Sequence, residues 1–137
     1  MTTAREIMSA GVRCVDEDQS LVDAARLMRE LGVGALPICG RDSRLHGIVT
    51  DRDIVLRCVA EGRDPASVRA GEMSGHLHWV DAGDDLSHVL RTMEEFQVRR
   101  LPVIEEDRLV GMVSEADLAR HLDDEELARF VERVYAR

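Results

Sequence analysis

Gly47-Ile48-Val49-Thr50-Asp51-Arg52-Asp53 decides how this chain is read. Ile48-Val49 has the character of a buried strand and runs straight into a helix start at Thr50. A near copy, Gly111-Met112-Val113-Ser114-Glu115-Ala116-Asp117, follows 64 residues later. Each copy ends in hydroxyl-x-x-carboxylate: Thr50 with Asp53, and Ser114 with Asp117. One reading is structural. The hydroxyl caps an orphan backbone N–H of a helix and the acid reaches back, forming a capping box. The other is a ligand site that offers a hydroxyl and an acid side by side. A single motif favours the first reading, because helix starts far outnumber ligand sites. The duplication favours the second, provided the rest of the chain repeats too.

It does repeat. Met73-Ser74 follows Met8-Ser9, and Val80-Asp81 follows Val15-Asp16. Leu86, Val89, Leu90 and Met93 follow Leu21, Ala24, Ala25 and Met28. Leu101-Pro102-Val103 follows Leu36-Pro37-Ile38. All are offset by 65, and one residue is dropped in a hairpin turn before Gly111. A constant register across so many blocks marks an internal duplication.

Read in order, Thr3 opens a one-turn helix to Met8, and Val12–Val15 is a short strand. Ser20 caps a helix with its apolar stripe at Leu21, Ala24, Ala25, Met28 and Leu31. Ala35–Cys39 is a strand whose proline predicts an edge or a strand start. Leu45–Val49 is its hairpin partner. Asp51–Ala60 is a second helix, apolar at Ile54, Val55, Cys58 and Val59. Glu61-Gly62-Arg63-Asp64-Pro65 is the linker. The tail, 123–137, reads as an acid-capped amphipathic helix with Leu127, Phe130, Val131 and Val134 on one side.

The expected fold is α/β (α+β): two pseudo-symmetric repeats over 7–64 and 72–130, each a three-stranded sheet with helices on one face. Each unit of about 60 residues is near the lower limit for independent stability. The simplest solution packs the two bare sheet faces together.

Composition sets bounds. The chain has 137 residues, 45% hydrophobic and 33% charged, so a folded globule is expected. Aromatics are only 3%, so the core must be aliphatic. A net charge of −9 argues against nucleic acid and anionic membranes as partners. No apolar run approaches the ~20 residues of a spanning helix, and the N-terminus has no apolar signal core. A cytoplasmic protein is expected.

With the duplication in hand, the chain resembles a tandem CBS-domain pair, or Bateman module. The carrying residues are the Met8 and Met73 starts, Val33–Ile38, Val98–Val103, Gly47–Asp53 and Gly111–Asp117. Its opening residues, Met1-Thr2-Thr3-Ala4-Arg5, are close to stand-alone hypoxic-response CBS proteins. The resemblance implies clefts between the repeats that take an adenosyl ligand: AMP, ADP, ATP or S-adenosylmethionine. Thr50 with Asp53, and Ser114 with Asp117, would hold the ribose hydroxyls. Val15, Val80, Leu36 and Leu101 would sandwich the adenine. Arg99 and Arg100 would meet phosphate in one cleft and Arg52 in the other, so the two should not bind alike. The resemblance also implies a homodimer formed through helices, and a separate downstream protein to receive the output. No cofactor is required.

Cys14, Cys39 and Cys58 fit no zinc spacing. The repeat mates of Cys14 and Cys39 are Trp79 and Ile104, both large and apolar. If those two pack across neighbouring strands, Cys14 lies near Cys39 and a disulfide forms. The alternative is two buried thiols acting as small hydrophobes. A real disulfide would also fit export without a signal peptide. His76-Leu77-His78, and Asp117 with His121 and Glu115, each lack a full metal-ligand set; no metal site is expected. Nor is there a nucleophile–base pair, since Ser114 has no placed histidine. The expected function is therefore non-catalytic sensing. The alternative is a structural or stress-response protein with a redox-sensitive disulfide and degenerate clefts.

Overall fold

The structure is a computed structural model and describes residues 1–75 and 77–136. Its elements run α1 (Ala4–Ile7), β1 (Ser9–Ala10), β2 (Val15–Asp16), α2 (Leu21–Leu31), β3 (Ala35–Cys39), β4 (Leu45–Thr50) and α3 (Asp51–Ile54). A π-helical turn (Val55–Val59) and a 3-10 helix (Ala70–Met73) follow. The second half runs β5 (Val80–Asp81), α4 (Leu86–Phe96), β6 (Arg100–Glu105), β7 (Arg108–Ser114), α5 (Glu115–His121) and α6 (Asp124–Val134).

The chain divides into two compact units. One, here the Thr50 unit, is Arg13–Leu77; the other, the Ser114 unit, is Met1–Val12 with His78–Arg137. These units are offset from the sequence repeats. The opening turn of each repeat folds with the unit that holds most of the other repeat. Ala4 and Ile7 of α1 are buried in the core of the Ser114 unit, and Ala70 and Met73 in that of the Thr50 unit.

In the Thr50 unit a three-stranded sheet has the order β2-β3-β4. β2 is parallel to β3 and β4 is antiparallel to it. Ser20 caps α2 with a full capping box to Asp23, and Gly32 ends it in the left-handed region (φ 67°). α2 buries Leu21, Ala24 and Met28 against Leu36, Ile38 and Val49 of the sheet. Leu31, expected on the buried stripe, is 39% exposed.

Pro37 is expected at an edge or a strand start, but it is the third residue of β3, and β3 is the central strand. The reason lies in the ladder. Glu17 N–H donates to Cys39 O (3.0 Å), so alternate residues of β3, Pro37 among them, turn their backbone groups towards β2. The β2 ladder pairs only Ile38 and Cys39. The missing proline N–H therefore points where no ladder bond is needed. The predicted helix from Asp51 to Ala60 also differs. It is α-helical for one turn and π-helical after it, which leaves Val55 and Val59 exposed and Cys58 buried.

The Ser114 unit repeats the pattern with an added strand: β1-β7-β6-β5. β1 pairs antiparallel with β7, Ser9 opposite Met112 and Ala10 opposite Gly111. Gly111 permits this approach, because a Cβ there would stand 2.5 Å from Met8 Sδ and 2.8 Å from Ser9 O. α4 and α6 cover one side of the sheet. Val89, Met93, Phe130 and Val134 join Leu101, Val103 and Val113 in one core. Among the described residues no helix is long and apolar enough to cross a membrane.

Candidate functional site

In the Thr50 unit, β4 runs out at Thr50, whose extended backbone makes it the N-cap of α3. Thr50 Oγ1 accepts the Asp53 N–H, and Asp53 Oδ2 accepts the Thr50 N–H, each at 3.0 Å. The capping box is thus formed. It leaves spare capacity. The Thr50 hydroxyl donates to no acceptor among the described residues. Asp53 Oδ1 has only Arg57 Nη1, at 3.8 Å, beyond hydrogen-bond range. The Asp53 side chain is 26% exposed. Arg57 is held by the carbonyl of Met73 at 3.2 Å. Arg52 is exposed beside the pair, its backbone N–H donating to Asp51 Oδ1 at 2.8 Å.

Ser114, at the end of β7, caps α5 in the same way, but its pair is closed. Asp117 Oδ2 accepts both the N–H and the hydroxyl of Ser114, each at 2.9 Å. Asp117 Oδ1 accepts Ser9 Oγ at 2.9 Å and Arg120 Nη2 at 2.6 Å. Asp117 is the one charged residue among those described that is fully buried, 3% exposed.

The other expected site residues are distributed as follows. Arg100 is half-buried and sits opposite Ser114 across the β6–β7 ladder; Ala35 holds the matching place opposite Thr50. Arg99 donates to the hydroxyl of Tyr135 at 3.1 Å and lies 5.3 Å from its ring centre, so the end of α6 engages it. Val15 and Leu36 are packed in the Thr50-unit core, Val80 and Leu101 in the Ser114-unit core, all at most 1% exposed. They form part of the two cores rather than an open apolar wall. A shallow groove of about 430 Å³ lies on the Thr50 unit beside the pair, lined by Met28, Arg29, Val33, Asp51, Ile54 and Val55 among others, without Thr50 or Asp53.

Cys14 and Cys39 are joined in a disulfide with a Cα–Cα distance of 5.8 Å. Cys58 is free and buried. Its thiol lies 3.5 Å from the Arg63 carbonyl. His78 stacks on Phe96, ring centres 3.7 Å apart, and His76 lies outside the described residues. His121 Nδ1 meets the backbone carbonyl of Asp117 at 2.8 Å, not its carboxylate. Among the described residues no three of His, Cys, Asp and Glu gather as a metal would need.

Three residues at the two pairs escaped the sequence reading. Arg57 and Arg120 were signalled by their spacing, four residues after Asp53 and three after Asp117. Ser9 is 108 residues from Asp117 and gave no local signal.

The repeated strand–hydroxyl–acid junction is matched in known proteins. The CBS domain family matches residues 4–59 and 67–124. This chain belongs to the CBS-domain family. The two matched segments make it a CBS pair. Hypoxic response protein 1 of Mycobacterium tuberculosis is 54% identical over 135 residues, covering 98% of this chain and 94% of that protein. The crystal structure of Hypoxic Response Protein I with two coordinated zinc ions superposes with a TM-score of 0.83 at 58% identity, covering 88% of this chain and 99% of that one. A hexameric CBS-CP12 protein from bloom-forming cyanobacteria superposes at 0.80 with 30% identity, covering 92% and 74%.

Proposed function

We propose that this CBS pair is a non-catalytic regulatory protein that binds an adenosyl ligand, such as AMP, ADP, ATP or S-adenosylmethionine, through Thr50 and Asp53. One observation carries the reading: at the end of β4 a hydroxyl proton and a carboxylate oxygen stand next to each other without hydrogen-bond partners. A ribose offers two vicinal hydroxyls, each able to donate and accept. The carboxylate accepts from the diol, and the threonine proton donates to it. Exposed Arg52 supplies positive charge for a phosphate. α3 is a single turn, so its end contributes little beyond its backbone N–H groups.

The working form is a cytoplasmic homodimer that signals to a separate protein. Support for self-association comes from the exposed apolar side chains Val55, Leu56 and Val59, at 55%, 44% and 57%, on one stretch of the Thr50 unit. The net charge of −9 supports neither nucleic acid nor an anionic membrane as partner.

Calorimetric titration with AMP, ATP and S-adenosylmethionine tests it. Asp53→Asn keeps an acceptor for the Thr50 N–H but removes the charge that faces the diol. The expected result is heat with at least one of the three, weakened about tenfold or more by Asp53→Asn. The Cys14–Cys39 disulfide favours a second reading, a structural or stress-response protein whose stability follows its redox state. Silence with all three ligands supports that reading instead.

A further inference from the structure

We infer that only the Thr50–Asp53 pair is open to a ligand, and that Ser9 and Arg120 close the Ser114–Asp117 pair from within the chain. The inference rests on the reading that such a pair holds a ribose diol, and it fixes how many ligands one chain takes.

An ionised carboxylate has about four lone-pair sites. In Asp117 all four are in use: Ser9 and Arg120 on Oδ1, the Ser114 N–H and hydroxyl on Oδ2. The Ser114 proton, the one a diol would need, is spent inside the pair. A ribose arriving at Asp117 must break the Ser9 bond and a charge-assisted bond from Arg120 before it gains any of its own. Asp117 is also buried, so the exchange has no solvent-facing oxygen from which to begin.

The contrast with Asp53 traces to two positions. The repeat mate of Arg120 is Leu56, which has no donor and is 44% exposed. The repeat mate of Ser9 is Ser74, which makes no hydrogen bond to Asp53 among the described contacts. Arg57 approaches Asp53 from one residue further along the helix and stops at 3.8 Å. The duplication therefore keeps both capping boxes but leaves one with free valences. The closed pair has a structural task. It ties β1, near the chain's start, to the β7–α5 junction, 108 residues away.

The test is the binding stoichiometry of AMP, of ATP and of S-adenosylmethionine, measured separately by calorimetry on the full chain. The expected results are one ligand per chain in the wild type, about a tenfold or greater loss in Asp53→Asn, and a second site per chain in the double variant Ser9→Ala/Arg120→Ala. Two ligands per wild-type chain overturn the inference while leaving the ribose reading intact. So does a full-affinity site surviving in Asp53→Asn. A double variant that melts cooperatively yet still binds one ligand also overturns it. The wild-type and Asp53→Asn results decide the matter even if the double variant does not fold. No binding of any of the three ligands to any of these proteins sinks the ribose reading, and this inference with it.

Discussion

Asp53 and Asp117 stand at the same step of a duplicated pattern, and their neighbours give them different capacities. Both complete capping boxes, so the structural reading of hydroxyl-x-x-carboxylate holds in each repeat. It does not compete with ligand binding at Asp53, where the box uses one carboxylate oxygen and leaves the other. At Asp117 it does, because Ser9 and Arg120 take what the box leaves. The cysteines make a second case at this scale. Cys39 faces Asp16 across the β2–β3 ladder as Ile104 faces Asp81 across β5–β6. The repeat register thus carried the pairing of Cys14 with Cys39, although Trp79 itself is half-exposed. The bond closes a loop of 25 residues, worth about 3 kcal/mol in the chain-entropy account. Denatured protein kept from reductant should show one reactive thiol, that of Cys58, and Cys39→Ser should lose about 3 kcal/mol in denaturant unfolding. Three reactive thiols would contradict the bond.

At the scale of elements, amphipathic spacing located the helices well and their exposed faces poorly. The expected stripe of α6 is Leu127, Phe130, Val131 and Val134, and Val131 does not belong to its buried side. In the structure Phe130 is 1% exposed and packed with the α4 side of the Ser114 core, while Val131 is 42% exposed. Phe130→Ala should therefore cost about 3–5 kcal/mol in urea unfolding, and Val131→Ala less than about 0.5 kcal/mol. Equal effects would mean that α6 does not cover that core. On α2, and on the π-helical turn after α3, Leu31, Val55 and Val59 follow an apolar pattern yet face outward. The switch to a π-helical turn at Val55 rotates the later residues off the period of 3.6, and no simple pattern announces it.

Linker electrostatics also belong to this scale. Arg63 Nη2 donates to Glu72 at 2.7 Å, and the Arg69 N–H donates to the same carboxylate at 2.9 Å. The Arg63 bond first, then the backbone bond, hold the Glu72 carboxyl below its ordinary range. A depressed folded value gives stability that is complete above the ordinary glutamate value and is lost as the pH falls through the folded one. The unfolding free energy of the wild type should thus exceed that of Glu72→Gln above about pH 5, with the gap closing as the pH approaches about 3. A gap independent of pH over that range would show that Glu72 acts through its shape alone. Both side chains are largely solvent-facing, so the effect should shrink in high salt.

At the scale of the whole molecule, the duplication made the fold legible. A chain of 137 residues with matched strand–helix–strand–strand–helix blocks yields two alike sheets, and both are present. What the blocks did not reveal is where the opening turns go. Met8-Ser9 and Met73-Ser74 repeat in sequence, but Ser9 joins β7 as a fourth strand, while Ser74 lies against Gly47 without forming a strand. The pairing of Ser9 joins residues about a hundred positions apart, which local pattern cannot encode. The same distance hid Ser9 as a partner of Asp117. The aliphatic residues Val15, Leu36, Val80 and Leu101 were legible as apolar strand positions, but core and ligand wall share that signature, and here they are core.

The account stands or falls on where an adenosyl ligand meets the chain. Amide chemical-shift mapping of the full protein during a titration with AMP, and again with ATP and S-adenosylmethionine, reads this residue by residue. The expected result is shifts centred on Thr50 and Asp53 with at least one of the three, and none of comparable size at Ser114 to Asp117. Shifts confined to the groove around Met28, Val33 and Val55, or none with any of the three, would contradict it.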